Sequence, residues 1–183
     1  MEADSHRANQ VLVPSDLTES FEPITGTSVT LRPLRRDDSD IEHAFVSGLS
    51  PDTRYNRLLG GMRAITREYI ESLVRVDFSR DMALAATTML GGAETLIGVA
   101  RYVLDKDNQA AEFAIVVADS WHGRGIGARL LAKLADSARH RGVKRLYGEI
   151  LAINRPMLGL VQKLGFRLSR HEDPTLTRAT LAL

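Results

Sequence analysis

The stretch WHGRGIGARLLAKLADSARHRG, residues Trp121 to Gly142, decides how this chain is read. It opens with three glycines in seven residues and continues with Ile126, Leu130, Leu131, Leu134 and Ala138 at helical spacing. Glycine in a helix costs roughly 1 kcal/mol relative to alanine. Three of them just before a well-patterned helix therefore mean that the backbone itself has to meet something. The preceding residues, AAEFAIVVAD, have the composition of a buried strand. A glycine-rich turn between a strand and a helix N-terminus presents unpaired N–H groups at the positive end of a helix dipole, which is where an anion such as a phosphate binds.

Two familiar phosphate loops do not fit. A Walker A loop ends in Gly-Lys-Ser/Thr, whereas Gly127 is followed by Ala128 and Arg129, with no hydroxyl for magnesium. A dinucleotide fingerprint belongs early in a βαβ unit, and GRGIGAR instead follows MALAATTML, TLIGVARYVLD and AAEFAIVVAD. Those three segments, joined by the GG and KDNQ turns, read as a three-strand meander. A plain tight turn rarely requires three glycines.

Downstream, KRLYGEIL reads as a strand, PMLGLVQKLG as a short helix, and FRLSR with LTRATLAL as a closing strand pair. Upstream, Val29, Leu31 and Leu34 mark a strand, Asp37 to Asp40 can cap a helix through Ile41, Phe45 and Leu49, and SPDTRYNRLLGG reads as a loop closed by Gly60 and Gly61. Thr66 to Asp77 reads as a helix with Tyr69, Leu73 and Val76 on one face. Residues 1–26 read as a flexible N-terminal arm and 27–183 as one domain. Strands followed by alternating strand and helix predict a mixed α/β sheet.

Composition excludes several function classes. Lys plus Arg number 24 against 23 Asp plus Glu, so no net field points to nucleic acid or to a membrane surface. The absence of cysteine removes disulfides, thiolate metal sites and a cysteine nucleophile. His43, His140 and His171 lack partners at metal-ligand spacing, so no metal is expected. No apolar run approaches the roughly 20 residues of a membrane span, and MEADSHRANQ lacks the pattern of a signal peptide. A soluble cytoplasmic protein is the expectation.

His122-Gly123-Arg124-Gly125-Ile126-Gly127 resembles the Q/R-x-x-G-x-G/A signature of the GNAT superfamily of acyl-CoA-dependent N-acetyltransferases, with His122 in the slot usually held by Gln or Arg. LAINRPMLGLVQKLGF resembles the family's second landmark, an Asn after the fifth strand, a short helix and then Leu-Gly-Phe. The resemblance implies the GNAT fold: a mixed, mostly antiparallel sheet with helices on both faces, split after the fourth strand for CoA. It implies acetyl-CoA as co-substrate. The pyrophosphate would lie on backbone N–H groups from Gly123 to Ala128, with His122 also contributing through its N–H. Arg124 and Arg129 either add charge there or are solvated. The pantetheine arm would run beside Ile115, Val116 and Val117 of the fourth strand and approach Asn154.

Transfer to an amine requires that the amine lose a proton, because a lysine's unperturbed pKa is near 10.4. Glu112 interrupts an apolar strand and is the expected general base, with Glu149 in reserve. Many family members carry a tyrosine seven residues after the Asn as general acid; here that position is Val161. The direction of Tyr147 is open at this level.

Ser50, Thr53, Arg54-Tyr55, Arg57-Leu58 and Val76-Asp77-Phe78 with Met82-Ala83-Leu84 resemble an element of Pat-type bacterial protein-lysine acetyltransferases. That resemblance implies a protein lysine as acceptor, on an acyl-CoA synthetase for instance, with Arg54, Tyr55 and Arg57 either shaping the acceptor entrance or holding a loop. A homodimer is compatible, since family members are often dimers. The regulatory regions usual in Pat-type proteins have no counterpart in these 183 residues. A small-molecule amine acetyltransferase and a non-catalytic acyl-CoA-sensing module are the alternatives.

Overall fold

Period-two burial sets the strands and 3.6-residue periodicity the helices, and the two patterns alternate along the chain as the sequence predicts. The structure is a computed structural model that describes residues 17–60 and 66–183. Its elements are β1 (Glu19–Ile24), β2 (Thr27–Pro33), α1 (Ser39–Gly48), α2 (Pro51–Arg57), α3 (Arg67–Val74), β3 (Asp81–Leu90), β4 (Ala93–Leu104), β5 (Ala110–Val117), α4 (Ile126–His140), β6 (Arg145–Leu151), α5 (Arg155–Lys163), β7 (Arg167–Arg170) and β8 (Leu176–Ala182). The strands form one sheet in the order β1-β2-β3-β4-β5-β6-β8-β7. All pairs are antiparallel except β5 with β6.

Two cores sit on opposite faces of this sheet. Leu31, Leu84, Tyr102, Phe113 and Leu146 face α4 and α5, where they meet Leu130, Leu134, Leu158 and Val161. Ala83, Ala85, Val99 and Val116 face α1 and α3, against Phe45, Val46, Ile70 and Val74. The parallel ladder holds only Ala110–Glu112 against Arg145–Tyr147. Beyond it β5 keeps β4 as its partner through Val117, and β6 keeps β8 through Leu151. The sheet is thus split at the strand that counts fourth from the one starting at Thr27, as the resemblance implies.

Two expectations need correction. The boundary drawn at residue 26 falls inside a hairpin: Glu19–Ile24 pairs with β2 as the sheet's edge strand. Residues 1–16 of that arm lie outside the described residues. The segment read as a loop from Ser50 carries helix α2, because Ser50 caps it by accepting from the Thr53 N–H at 3.2 Å and Pro51 occupies its first turn. Both were legible as a capped start, and the glycines downstream masked them. Gly60, at φ +80°, turns the chain as expected; Gly61 lies outside the described residues.

Asp119, in the turn after β5, ties α2 down. It accepts from the Ser50 N–H (3.0 Å), the Ser50 hydroxyl (2.7 Å) and the Thr53 hydroxyl (2.7 Å). These donors hold its carboxyl at about 2, against partial loss of water, which acts the other way. A folded-state value below the unfolded one means that this contribution is complete above about pH 3.8 and is lost as pH falls through about 2. Asp119→Asn is therefore expected to lower the melting temperature at pH 7, with the gap to wild type closing as melts are taken from pH 5 toward pH 3. A gap independent of pH would contradict this role.

On the α1 face Arg32 is buried and makes a bidentate pair with the equally buried Asp38, at 2.7 and 2.8 Å, plus a contact of 3.1 Å to Glu94. Asp38 also accepts from the Arg35 N–H at 2.7 Å, which shapes the approach to α1. Removing one member of such a pair leaves an uncompensated buried charge. Arg32→Met is expected to cost about 3–5 kcal/mol in urea unfolding. A loss under about 1 kcal/mol would show that Asp38 finds other partners.

Candidate active site

The glycine-rich turn resolves into three separate demands. Gly123 (φ +74°) and Gly125 (φ +78°) take the left-handed backbone that lets the chain leave β5 and start α4. Gly127 has no such angle. A Cβ there would stand 3.3 Å from Leu160 and 3.7 Å from Val117, so the third glycine lets the first turn of α4 close on α5 and β5.

As a result, the six N–H groups from Gly123 to Ala128 donate to nothing among the described residues, and the first internal bond of the helix is Arg129 N–H to Gly125 O at 3.1 Å. Gly123, Arg124 and Gly125 are exposed. These donors, at the N-terminus of a 15-residue helix, fit a pyrophosphate.

The neighbouring side chains shape this cradle more than they charge it. The His122 N–H donates to Asp119 O (3.2 Å) and its ring bonds Val117 O (2.8 Å), so it clamps the loop to the end of β5. The His122 amide, expected to serve the cofactor, has a partner inside the turn, and the unpaired donors among the described residues begin at Gly123. Arg124 lies over Trp121 at 5.0 Å, at the loop's exposed rim. Arg129 turns away, pairing with Glu19 at 2.9 Å and stacking on Phe21 at 4.3 Å.

Beside the loop runs the open edge of β5. Gln109 O accepts from β6-side N–H groups, Val117 O reaches His122, and the Ala118 N–H bonds Ile97 of β4. Alternation from those anchors turns the backbone groups of Phe113, Ile115 and Val117 toward the split and those of Val116 toward β4. Ile115, Val116 and Val117 are half-buried. Across the split, Asn154 caps α5 by accepting from the Met157 N–H at 3.2 Å, which leaves its amide N–H₂ free to donate.

Glu112 stands at the last rung of the ladder, opposite Tyr147. It shares a face with Ala114 and Val116, and its side chain is exposed. Partial loss of water, then Glu149 and Asp105, push its carboxyl above the usual range, while Arg178 and Arg57 act in the opposite sense. Glu149, the reserve candidate, is committed elsewhere: it pairs with Arg178 at 2.9 Å and with His171 at 3.0 Å. Tyr147 points to the Glu112 face, but its hydroxyl donates to Asp105 at 3.0 Å and its pKa is pushed up to about 12, first by loss of water and then by that bond. Val161 is fully buried in the α4 face.

On the face of Ala114 and Val116 a pocket opens under α2, lined among others by Arg54, Arg57, Glu42 and Arg101. Tyr55 does not join them; it is exposed and packs over the Gly60 turn, where a Cβ would meet its hydroxyl at 3.1 Å. Sequence reading missed Arg101, though it interrupts TLIGVARYVL as Glu112 interrupts its own strand and sits directly across from Ala114. Glu42 carried no such signal, lying in an ordinary helical stretch. Among the described residues no cluster of His, Asp and Glu could hold a metal ion.

The sequence model of the Acetyltransferase (GNAT) family matches residues 54–166. The chain is 34% identical over 148 residues to acetyltransferase PA5475 of Pseudomonas aeruginosa, a match spanning 81% of this chain and 80% of that protein. It is 32% identical over 142 residues to acetyltransferase Pat of Mycolicibacterium smegmatis, spanning 77% of this chain and 42% of Pat. The solved GNAT domain of S. lividans PAT superposes with a TM-score of 0.82 at 25% identity, over 93% of this chain and 99% of that one. The family match over residues 54–166 and these likenesses establish that the chain belongs to the GNAT family of acetyl-CoA-dependent acetyltransferases, with the fold of a Pat-type GNAT domain.

Proposed function

We propose that this protein transfers the acetyl group of acetyl-CoA to a primary amine by direct attack, that Glu112 is the general base, and that the acceptor is a protein lysine. The observation that carries the reading is the position of Glu112: an exposed carboxylate, raised above its usual range and without an ion pair among the described residues, at the mouth of the split. Acetyl-CoA supplies an activated thioester carbonyl. The N–H groups of Gly123 to Ala128 hold its pyrophosphate, and the outward amides of Phe113, Ile115 and Val117 receive the pantetheine arm as a sheet edge receives an added strand. The amide N–H₂ of Asn154 donates from the far side.

Glu112 then takes the proton of the incoming ammonium, directly or through one water, and returns the amine as a nucleophile. A carboxyl raised by desolvation suits that exchange near neutral pH better than an ordinary one. The proton for the departing thiolate comes from the ammonium that the substrate nitrogen becomes on attacking the carbonyl, or from water, because Val161 offers no hydroxyl and the Tyr147 proton is held by Asp105.

The preference for a protein lysine rests on likeness to Pat and to the PAT GNAT domain, with an acyl-CoA synthetase as the type of protein acceptor. Arg54 and Arg57 flank the acceptor side, and Tyr55 serves the turn behind them. The cytoplasm is the proposed compartment; no helix among the described residues is long and apolar enough to cross a membrane.

Glu112→Gln is expected to lower kcat by about 10²- to 10⁴-fold and to leave the KM for acetyl-CoA within about twofold, since the side chain points away from the amide cradle. Because the folded-state pKa of Glu112 is raised, activity in the wild type falls as pH drops through a value above the ordinary 4.5, and that limb is lost in the variant. CoA release should be followed with an acyl-CoA synthetase, polyamines, amino acids and aminoglycosides as acceptors. Undiminished turnover in the variant removes Glu112 from the mechanism. Turnover with small amines alone overturns the lysine preference.

A further inference from the structure

The pocket under α2 holds an arrangement that stability does not account for. Glu42 is only 2% exposed, and its Oε2 has no hydrogen-bond partner. Arg101 is largely buried, and its one hydrogen bond among the described residues is to Leu73 O at 3.2 Å. Neither Arg101, Arg57 nor Arg54 lies within ion-pair distance of a carboxylate among the described residues. Arg101 and Arg57 thus act on the Glu42 carboxyl across a gap, with Arg54 also on the lining. Glu42 and Arg101 are desolvated without an ion pair, a placement that costs stability, while Arg54 and Arg57 stand half-buried beside them.

The gap is small and specific. Its volume is about 30 Å³, and a water-sized group needs roughly 10–15 Å³, so it takes two or three heavy atoms. With three cations against one carboxyl, the group that fits is an anion. The planar guanidinium fork matches a carboxylate. Burial pushes the Glu42 carboxyl up, against Arg101 and Arg57; once protonated it can donate from Oε2 to the second oxygen of a bound carboxylate. The pocket is lined by Ala114, two residues from Glu112 on the same face of β5, which is about 7 Å along the strand.

We propose that Arg57 and Arg101, with Glu42 on the inner wall, form a carboxylate subsite, and that the enzyme prefers a reactant whose carboxylate lies a few bonds from the reacting centre. The proposal rests on the reading of the Glu112 face as the reaction face. The carboxylate has two possible sources: the acceptor, as an amino acid or an acidic residue beside the target lysine, or the acyl donor, as a dicarboxylic acyl group.

Rates with matched reactants separate these sources. One arm compares, with acetyl-CoA, an amine bearing a carboxylate and the same amine as its carboxamide. The other compares succinyl-CoA with acetyl-CoA on one plain amine. In one arm the wild type should favour the carboxylate by about tenfold or more in kcat/KM, the effect of a charge-assisted pair. In Arg57→Gln and Arg101→Gln that ratio should collapse toward one; the ratio within each variant cancels any general loss of activity. Arg57, at the pocket's half-buried rim, keeps the test open if Arg101→Gln fails to fold. Binding provides a readout independent of turnover: succinate, but not succinamide, should raise the melting temperature of the wild type and leave Arg57→Gln unmoved. Equal rates in both arms, a ratio that survives both substitutions, or no difference between succinate and succinamide overturns the subsite. Silence in every rate assay with the succinate shift intact would instead count against the transferase reading while upholding the subsite.

Discussion

The ladder between β5 and β6 runs for three residue pairs and stops at Glu112 opposite Tyr147, where Phe113 lays its ring over Gly148. A Cβ on Gly148 would stand 2.7 Å from that ring, so the glycine is the space into which Phe113 leans. Phe166 meets the same ring edge-on at 5.3 Å, which locks it from the other side. Past this point the strands follow different partners, and a strand edge is left unpaired inside the sheet. An interior edge of this kind is a standing template for added backbone.

The site follows from that parting. On the α4 side the edge leads into a loop whose amides have no partners, so an extended, amide-bearing and phosphorylated ligand finds matching donors along one continuous path. Toward α1 and α3, the last rung presents Glu112, and two residues further the arginine pocket opens. Asp119 and His122 make the junction rigid by opposite means: Asp119 reaches down to α2, and His122 back to the end of β5. One turn therefore sets both the glycine-rich loop and the position of α2 over the arginine pocket.

Most of this was legible in the residues. The glycine pattern located the loop because left-handed backbone and close packing leave few substitutes, and the landmark at Asn154 located the start of α5, which that residue caps. Strands and the long helix were recovered from periodicity, since each buries one face. What escaped was carried by long-range partners. Helix α2 is capped by a serine and held by Asp119, 69 residues away; β1 is polar enough to look like an arm, and its pairing with β2 makes it a strand. His122 was read through its amide, yet the turn at Asp119 consumes that amide. Arg101 gave a signal equal to that of Glu112, and only the register across β4 and β5 shows that both belong to one face.

Free backbone amides along β5 and the glycine-rich loop are the proposed receptor for acetyl-CoA. Hydrogen exchange of the full chain, with and without saturating acetyl-CoA, tests that directly at the peptides covering Phe113–Val117 and Gly123–Ala128. The expected result is slowing in both segments, with little change in the β7–β8 hairpin. Slowing absent from the loop while acetyl-CoA is bound would place the cofactor elsewhere and contradict the reading of the split sheet.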